Sequence, residues 1–149
     1  MPKYIATVDT PWPAEAAFAF MADMTRFSEW DPGVLHAEQV VGDGPGHGAA
    51  FDVTVPGGLR PITLRYVSEE YQHGREVLLV GRGRGFLSVD RVTVTPRSEG
   101  DATVVYHADL SFAGMLGFAS PLLTPVLNRI GARAGEGLHR VLTEPEPRV

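Results

Sequence analysis

Residues Ser120 to Thr143 form the longest stretch with a single periodicity, and that periodicity is helical. Leu123, Val126, Leu127, Ile130, Ala134, Gly137, Leu138 and Val141 fall on one stripe, with Asn128, Ala132, Glu136, His139 and Thr143 opposite. A helix with one apolar face needs an apolar surface to lie on. The chain before it holds six strand-like runs and a seventh at the N-terminus, so that surface must be a sheet. Thr124-Pro125 is a good cap and first-turn pair, and Ser120-Pro121 is another one turn earlier. The helix therefore starts at Thr124, or starts at Ser120 and bends at Pro125. Gly131, Gly135 and Gly137 each cost about 1 kcal/mol against Ala inside a helix. Gly137 sits within the apolar stripe, so it serves either close backbone approach, with the first strand as partner, or space for something the protein does not itself supply.

Tyr4 to Val8 alternates as a short strand, and Thr10-Pro11-Trp12-Pro13 stops it and opens a helix at Pro13 with Ala14, Ala17, Phe18 and Met21 on one face. Asp23 caps a second short helix, Met24 to Trp30, ended by Asp31-Pro32-Gly33. From Val34 the period changes to two. Strands are expected at Val34–Val41, Ala49–Val55, Arg60–Glu69, Glu76–Arg82, Phe86–Thr95 and Thr103–Phe112, separated by glycine- and proline-rich turns. These connections are too short for crossover helices, so neighbours pair antiparallel. The expected fold is α+β: a curved seven-stranded antiparallel sheet wrapped around the C-terminal helix, with two short helices after the first strand.

The order of elements and several short segments resemble the START-like, Bet v 1-like superfamily, also called SRPBCC or polyketide cyclase/dehydratase-like. The carriers are Val8 and Pro11 followed by Phe18, then Phe27-Ser28-Glu29-Trp30-Asp31-Pro32, Gly44 to Phe51, and Gly100-Asp101-Ala102-Thr103-Val104-Val105-Tyr106. They mark a fold and none is a catalytic signature. The resemblance spans nearly the whole chain. It implies the helix-grip fold and an apolar or amphipathic small molecule bound between sheet and helix.

At 149 residues the chain suits one domain, expected over 1–143, with 144–149 a flexible tail. A net charge of -5 argues against nucleic acid and anionic membranes as general partners. No apolar run is long enough to span a bilayer. The absence of cysteine excludes disulfides and thiol chemistry and fits a cytoplasmic location. Gly81-Arg82-Gly83-Arg84-Gly85 is followed by a strand rather than a helix, so it reads as a hairpin turn and not a phosphate loop. His36, His47, His73, His107 and His139 show no metal-ligand spacing, and no metal or cofactor is expected. No Gly-x-Ser-x-Gly elbow occurs.

Strand parity supplies the candidate site. If Leu78 and Val80 face inward, so does Arg82; if Val92 and Val94 do, so do Asp90 and Ser88. Tyr66 shares a face with Leu64, and Tyr106 with Val104. Arg82 and Asp90 would either orient a ligand or form a cross-strand ion pair. The ligand-lining set is then Phe18, Met21, Trp30, Phe51, Leu64, Tyr66, Leu78, Val80, Arg82, Asp90, Val92, Tyr106, Leu110, Leu123, Leu127 and Ile130. Three roles follow. The first is binding of a hydrophobic or amphipathic, lipid- or polyketide-like molecule. The second is a cyclase or dehydratase in which Arg82 polarises a carbonyl while Tyr or Asp moves a proton. The third is a toxin-like or partner-binding role through an exposed apolar patch, for example around Trp12 and Val105. Either a monomer or a homodimer is compatible with the sequence.

Overall fold

Alternating side chains and short turns put seven strands into one sheet, ordered β1-β7-β6-β5-β4-β3-β2, with every neighbouring pair antiparallel. The computed structural model describes residues 3–56, 59–83, 85–98, 100–112 and 120–145, with the side chains of 112–128 and 130 outside that description. In chain order the elements are β1 (Lys3–Thr10), α1 (Ala14–Ala22), a 3₁₀ turn (Met24–Arg26), α2 (Phe27–Trp30), β2 (His36–Val41), β3 (Ala50–Val55), β4 (Ile62–Gln72), β5 (Glu76–Gly83), β6 (Phe86–Pro96), β7 (Ala102–Phe112) and α3 (Ser120–Thr143). Asp23 caps the 3₁₀ turn, its carboxylate accepting from the Thr25 N–H. The long helix begins at Ser120, the earlier of the two expected starts.

The meander is set by tight turns. Gly83 pairs with Phe86, so two residues join β5 to β6, and Gly85 supplies a φ of +69° that other residues rarely adopt. That pairing fixes which side chains of β5 and β6 share a face. Val77, Leu79, Gly81 and Gly83 lie opposite Val92, Asp90, Ser88 and Phe86 on the inner face. β4 adds Leu64, Tyr66 and Ser68, β7 adds Ala102, Val104, Tyr106, Ala108 and Leu110, and β1 adds Tyr4, Ala6, Val8 and Thr10. A bulge between Ser68 and Glu70 bends β4, as bulges do in curled sheets.

One end of this inner face is packed solid. Leu138 and Leu142 of α3 are fully buried with Val8, Val94 and Val104 in the core cluster, and α1 contributes Phe18, Phe20 and Met21. Leu142, one turn beyond Leu138, continues the apolar stripe in place of the expected Val141, which is only half-buried. The last turn of α3 is tied down by two side chains, one at the end of β1 and one just after it. Thr10 Oγ1 donates to the Leu142 carbonyl at 2.6 Å, and Trp12 Nε1 donates to the Glu144 carbonyl at 2.8 Å. These bonds satisfy carbonyls that a helix end leaves without intrahelical partners. Trp12 is therefore buried, and the apolar surface patch expected around Trp12 and Val105 does not form. Glu144, expected in a loose tail, is held by the same bond; residues 146–149 lie outside the described residues.

The glycines of α3 are sites of close approach. A Cβ on Gly131 would meet the Tyr4 ring at 2.9 Å, and one on Gly135 would overlap the Tyr4 hydroxyl. A Cβ on Gly137 would overlap the carbonyl oxygen of Trp30. Close packing is thus the right reading of Gly137, but its partner is the end of α2 rather than β1.

Three consequences can be measured by urea denaturation. Gly137→Ala should destabilise by about 2 kcal/mol or more despite the better helix propensity of Ala, because the Trp30 carbonyl is backbone and cannot swing aside. Gly135→Ala should stay within about 1 kcal/mol of the parent protein, because only the tip of the Tyr4 side chain must move. Thr10→Val, which leaves the buried Leu142 carbonyl without its donor, should cost about 1–3 kcal/mol.

Candidate functional site

The middle of the inner face carries polar side chains where the surrounding strands carry Val and Leu. Asp90 of β6 is 1% exposed. Its Oδ1 accepts from Ser88 Oγ at 2.6 Å, and its Oδ2 accepts from the Tyr106 hydroxyl at 2.6 Å. Ser88 is two residues away on the same strand face, and Tyr106 reaches across from β7. The Tyr66 phenol, from β4, lies within hydrogen-bonding reach of Ser88. Its ring covers Gly81, where a Cβ would come within 2.6 Å of Tyr66 Cζ. Glycine at that position is what allows the ring to lie flat on the sheet. The result is a polar run, Tyr66–Ser88–Asp90–Tyr106, drawn from β4, β6 and β7, in which hydrogen bonds join Ser88, Asp90 and Tyr106.

Aromatic side chains from α2 cover this run. Trp30 meets Tyr106 edge-on at 5.2 Å between ring centroids, Phe27 stacks on Trp30 at 4.7 Å, and Phe27 meets Tyr66 at 6.2 Å. Asp31, the residue that ends α2, is 9% exposed and accepts from the Gly33 N–H at 2.8 Å. Burial raises the Asp31 carboxyl above the usual range, against the pull of that N–H.

Asp90 is pushed up to about 6, first by burial and further by the Asp31 charge, while the Ser88 and Tyr106 hydroxyls hold it lower than burial alone would. Tyr66 and Tyr106 are raised well above the ordinary phenol value by burial and by the Asp90 charge. Both phenols therefore stay protonated as hydrogen-bond donors at neutral pH. Among the described residues, no group of three or more His, Asp or Glu could hold a metal ion.

Beyond this run the wall becomes apolar and less covered. Leu110, Phe86 and Gly83 are half-buried, whereas Val104, Val92 and Val77, at the other end of the same strands, are fully buried. Leu64 of β4 remains buried, filling the place of a Gly83 side chain. Leu123, Leu127 and Ile130, expected to face this end from α3, have side chains outside the described residues.

The structure gathers Phe18, Met21, Trp30, Phe51, Leu64, Tyr66, Asp90, Val92, Tyr106 and Leu110 on the interior side of the sheet and helices. It does not gather Leu78, Val80 and Arg82. All three lie on the outer face, because Leu78 pairs with Arg91, Val80 with Val89 and Arg82 with Leu87. Arg82 is an exposed partner of Glu69 at 3.0 Å, so the expected Arg82–Asp90 ion pair does not exist. The parity of β5 was hidden because residues 77–80 are apolar at every position. Phe27, Asp31, Leu79 and Gly81 were missed as site residues. A two-residue hairpin loop after Gly83 was the signal that would have brought Leu79 and Gly81 inward beside Asp90.

A concavity of about 560 Å³ lies between β1 and α3 and is lined by Tyr4, Ala6, Glu136, His139 and Arg140 among others. Glu136, His139 and Arg140 are exposed, so a ligand there would leave them in water.

The family model for polyketide cyclase / dehydrase and lipid transport proteins matches residues 1–143. The chain belongs to that family. No curated protein matches it in sequence. Among solved structures it is similar to the Zhui aromatase/cyclase from Streptomyces sp. R1128, with a TM-score of 0.72 and 14% identity over 94% of this chain and 92% of that one. It is also similar to a START superfamily protein from Mycobacterium smegmatis, with a TM-score of 0.73 and 12% identity over 94% and 96%. A protein from Thermus thermophilus gives a TM-score of 0.73 and 14% identity over 95% and 97%. Identities this low carry the fold alone. Within this polyketide cyclase/dehydrase family member, the chemistry must be argued from its own residues.

The raised Asp90 carboxyl has a sign that can be checked. The native carboxyl holds its proton to higher pH than the unfolded one, so the native state binds more protons between the two values. Stability should therefore fall as pH rises from about 4 through about 6, by about 3 kcal/mol for this one group. Asp90→Asn removes that titration. Denaturant unfolding from pH 4 to pH 8 should show the variant gaining on the parent protein by about that amount.

Proposed function

We propose that this protein binds a hydrophobic or amphipathic small molecule, lipid- or polyketide-like, between the sheet and α3. Its polar end would rest on the Tyr66–Ser88–Asp90–Tyr106 run and its apolar body on Leu64, Phe86 and Leu110. The observation that carries this reading is the buried run itself. A fold needs no carboxylate in its core, and burying one is unfavourable unless something else gains from it. A few oriented polar groups on an otherwise apolar wall are the usual make-up of a small-molecule site. Family membership and the half-covered apolar wall beside the run support the same reading.

A second reading is favoured by one specific feature. A carboxyl that titrates near 6 is placed to exchange a proton close to neutral pH. Asp90 would take the proton from a carbon next to a carbonyl, and a tyrosine hydroxyl would donate to the carbonyl oxygen as charge builds there. This is a cyclase- or dehydratase-type step carried by Asp90 and Tyr66 or Tyr106. Arg82 has no part in it.

Native mass spectrometry and thermal shift against a lipid and polyketide panel test the first reading. At least one class should bind and raise Tm. Leu110→Trp, which fills the half-buried wall beside Ser88, should weaken that binding at least about tenfold with little change in Tm. A panel without a single binder would reject the proposal. For the second reading, a bound β-dicarbonyl compound in heavy water should take up deuterium faster with the parent protein than with Asp90→Asn; equal rates would leave binding alone.

A further inference from the structure

Among the described residues, the interior carries the carboxyls of Asp90 and Asp31 and no cation paired with either. Among the described residues, no Lys, Arg or His side chain lies on the inner face of the sheet. Five arginines pair elsewhere: Arg26 with Glu29, Arg65 with Asp52, Arg82 with Glu69, Arg91 with Glu70 and Glu76, and Arg97 with Asp9 and Asp101. Arg91 is next to Asp90 in sequence and points the opposite way. The carboxyl charge that acts on Asp90 is that of Asp31, which has the same sign.

An ionised carboxylate offers about four acceptor positions. Ser88 and Tyr106 occupy two. Both are hydroxyl donors without charge, so the net charge of the site stays negative. A guest reaching Asp90 must therefore present hydrogen-bond donors, and a guest ending in an anion would face an unscreened like charge. The rings of Trp30, Phe27, Tyr66 and Tyr106 lie beside this site, and an aromatic face favours a cation over an anion.

Building on the binding reading above, we infer that this site selects apolar molecules whose polar end donates hydrogen bonds, an alcohol, phenol or protonated amine, and refuses those ending in a carboxylate. The selection lies in the Asp90 charge, with the hydroxyls of Ser88 and Tyr106 fixing its orientation.

The experiment is calorimetric titration at pH 7.5 with two matched sets: 1-octanol, octylamine and octanoate, then 2-naphthol, 2-naphthylmethylamine and 2-naphthoate. In each set that binds, the carboxylate should be weaker than its alcohol or phenol by at least about tenfold. Asp90→Asn should close that gap to within about threefold and weaken the amine. Ser88→Ala, which keeps the charge, should preserve the refusal. Should Asp90→Asn lose its fold by circular dichroism, the ratio measured on the parent protein decides alone. A carboxylate that binds the parent protein within about threefold of its alcohol overturns the inference and leaves the binding reading standing. If none of the six binds while a carboxylate-bearing member of the wider panel does, the selectivity is likewise overturned. If neither the six nor the wider panel yields a binder, the binding reading itself falls.

Discussion

The attachment of one end of α3 sets the geometry of everything else. Thr10 and Trp12 hold the carbonyls of Leu142 and Glu144, and Gly137 lets the helix touch the Trp30 carbonyl. Hydrogen bonds to otherwise orphaned carbonyls and a backbone-to-backbone contact leave little freedom in angle or register. The helix is thereby fixed over Val8, Val94 and Val104, where Leu138 and Leu142 complete a solid core. The same contact positions α2, and with it Trp30, Phe27 and Asp31, over the polar run. The site's cover is thus held by the helix anchor rather than by the site.

Asp90 sits at the boundary between this packed end and the less covered wall formed by Leu110, Phe86 and Gly83. Its environment is only half satisfied by the protein. Two hydroxyls bond it, yet burial still lifts its proton affinity far above that of a carboxylate in water. The outer face is treated differently. Arg65 and Asp52 meet there through two hydrogen bonds of 2.7 and 3.0 Å, and Arg91 meets Glu76, all partly in water. Exposed pairs of this kind add little to stability.

Much of the architecture was legible in the residues. The helical stripe from Ser120, the period-two runs and the turn residues carry the element order, and short connections force the antiparallel meander. The inward placement of Ser88, Asp90, Val92 and Val94 follows from simple alternation along β6. What alternation could not resolve was β5, where Val77, Leu78, Leu79 and Val80 are all apolar and either face is equally plausible. Only pairing resolves it: with Gly83 opposite Phe86, Leu79 must lie opposite Asp90 and Arg82 opposite Leu87. The role of Gly137 was half legible, since a glycine in an apolar stripe implies close approach, but its partner comes from tertiary packing of a four-residue helix. Asp31 was visible only as a fold marker, because nothing local to Phe27–Pro32 says that its carboxylate faces the interior.

The separation of charge across the sheet follows from that same hairpin register. Asp90 and Arg91 are adjacent, so on a strand they must point to opposite faces. A slip of one residue would turn Arg91 inward and Asp90 outward, and would move Val92 and Val94 out of the core with Arg91's arrival. The apolar residues therefore fix the register, and the register decides the sign of the charge inside. The polar run inherits its position from the hydrophobic pattern around it, which keeps the carboxylate buried although no cation among the described residues pairs with it. An interior built only for stability would place Val or Leu at position 90, next to Val92 and across from Leu79. That the chain keeps Asp there, with Ser88 and Tyr106 arranged to bond it and Tyr66 beside Ser88, is the strongest physical argument that this end of the fold serves a guest.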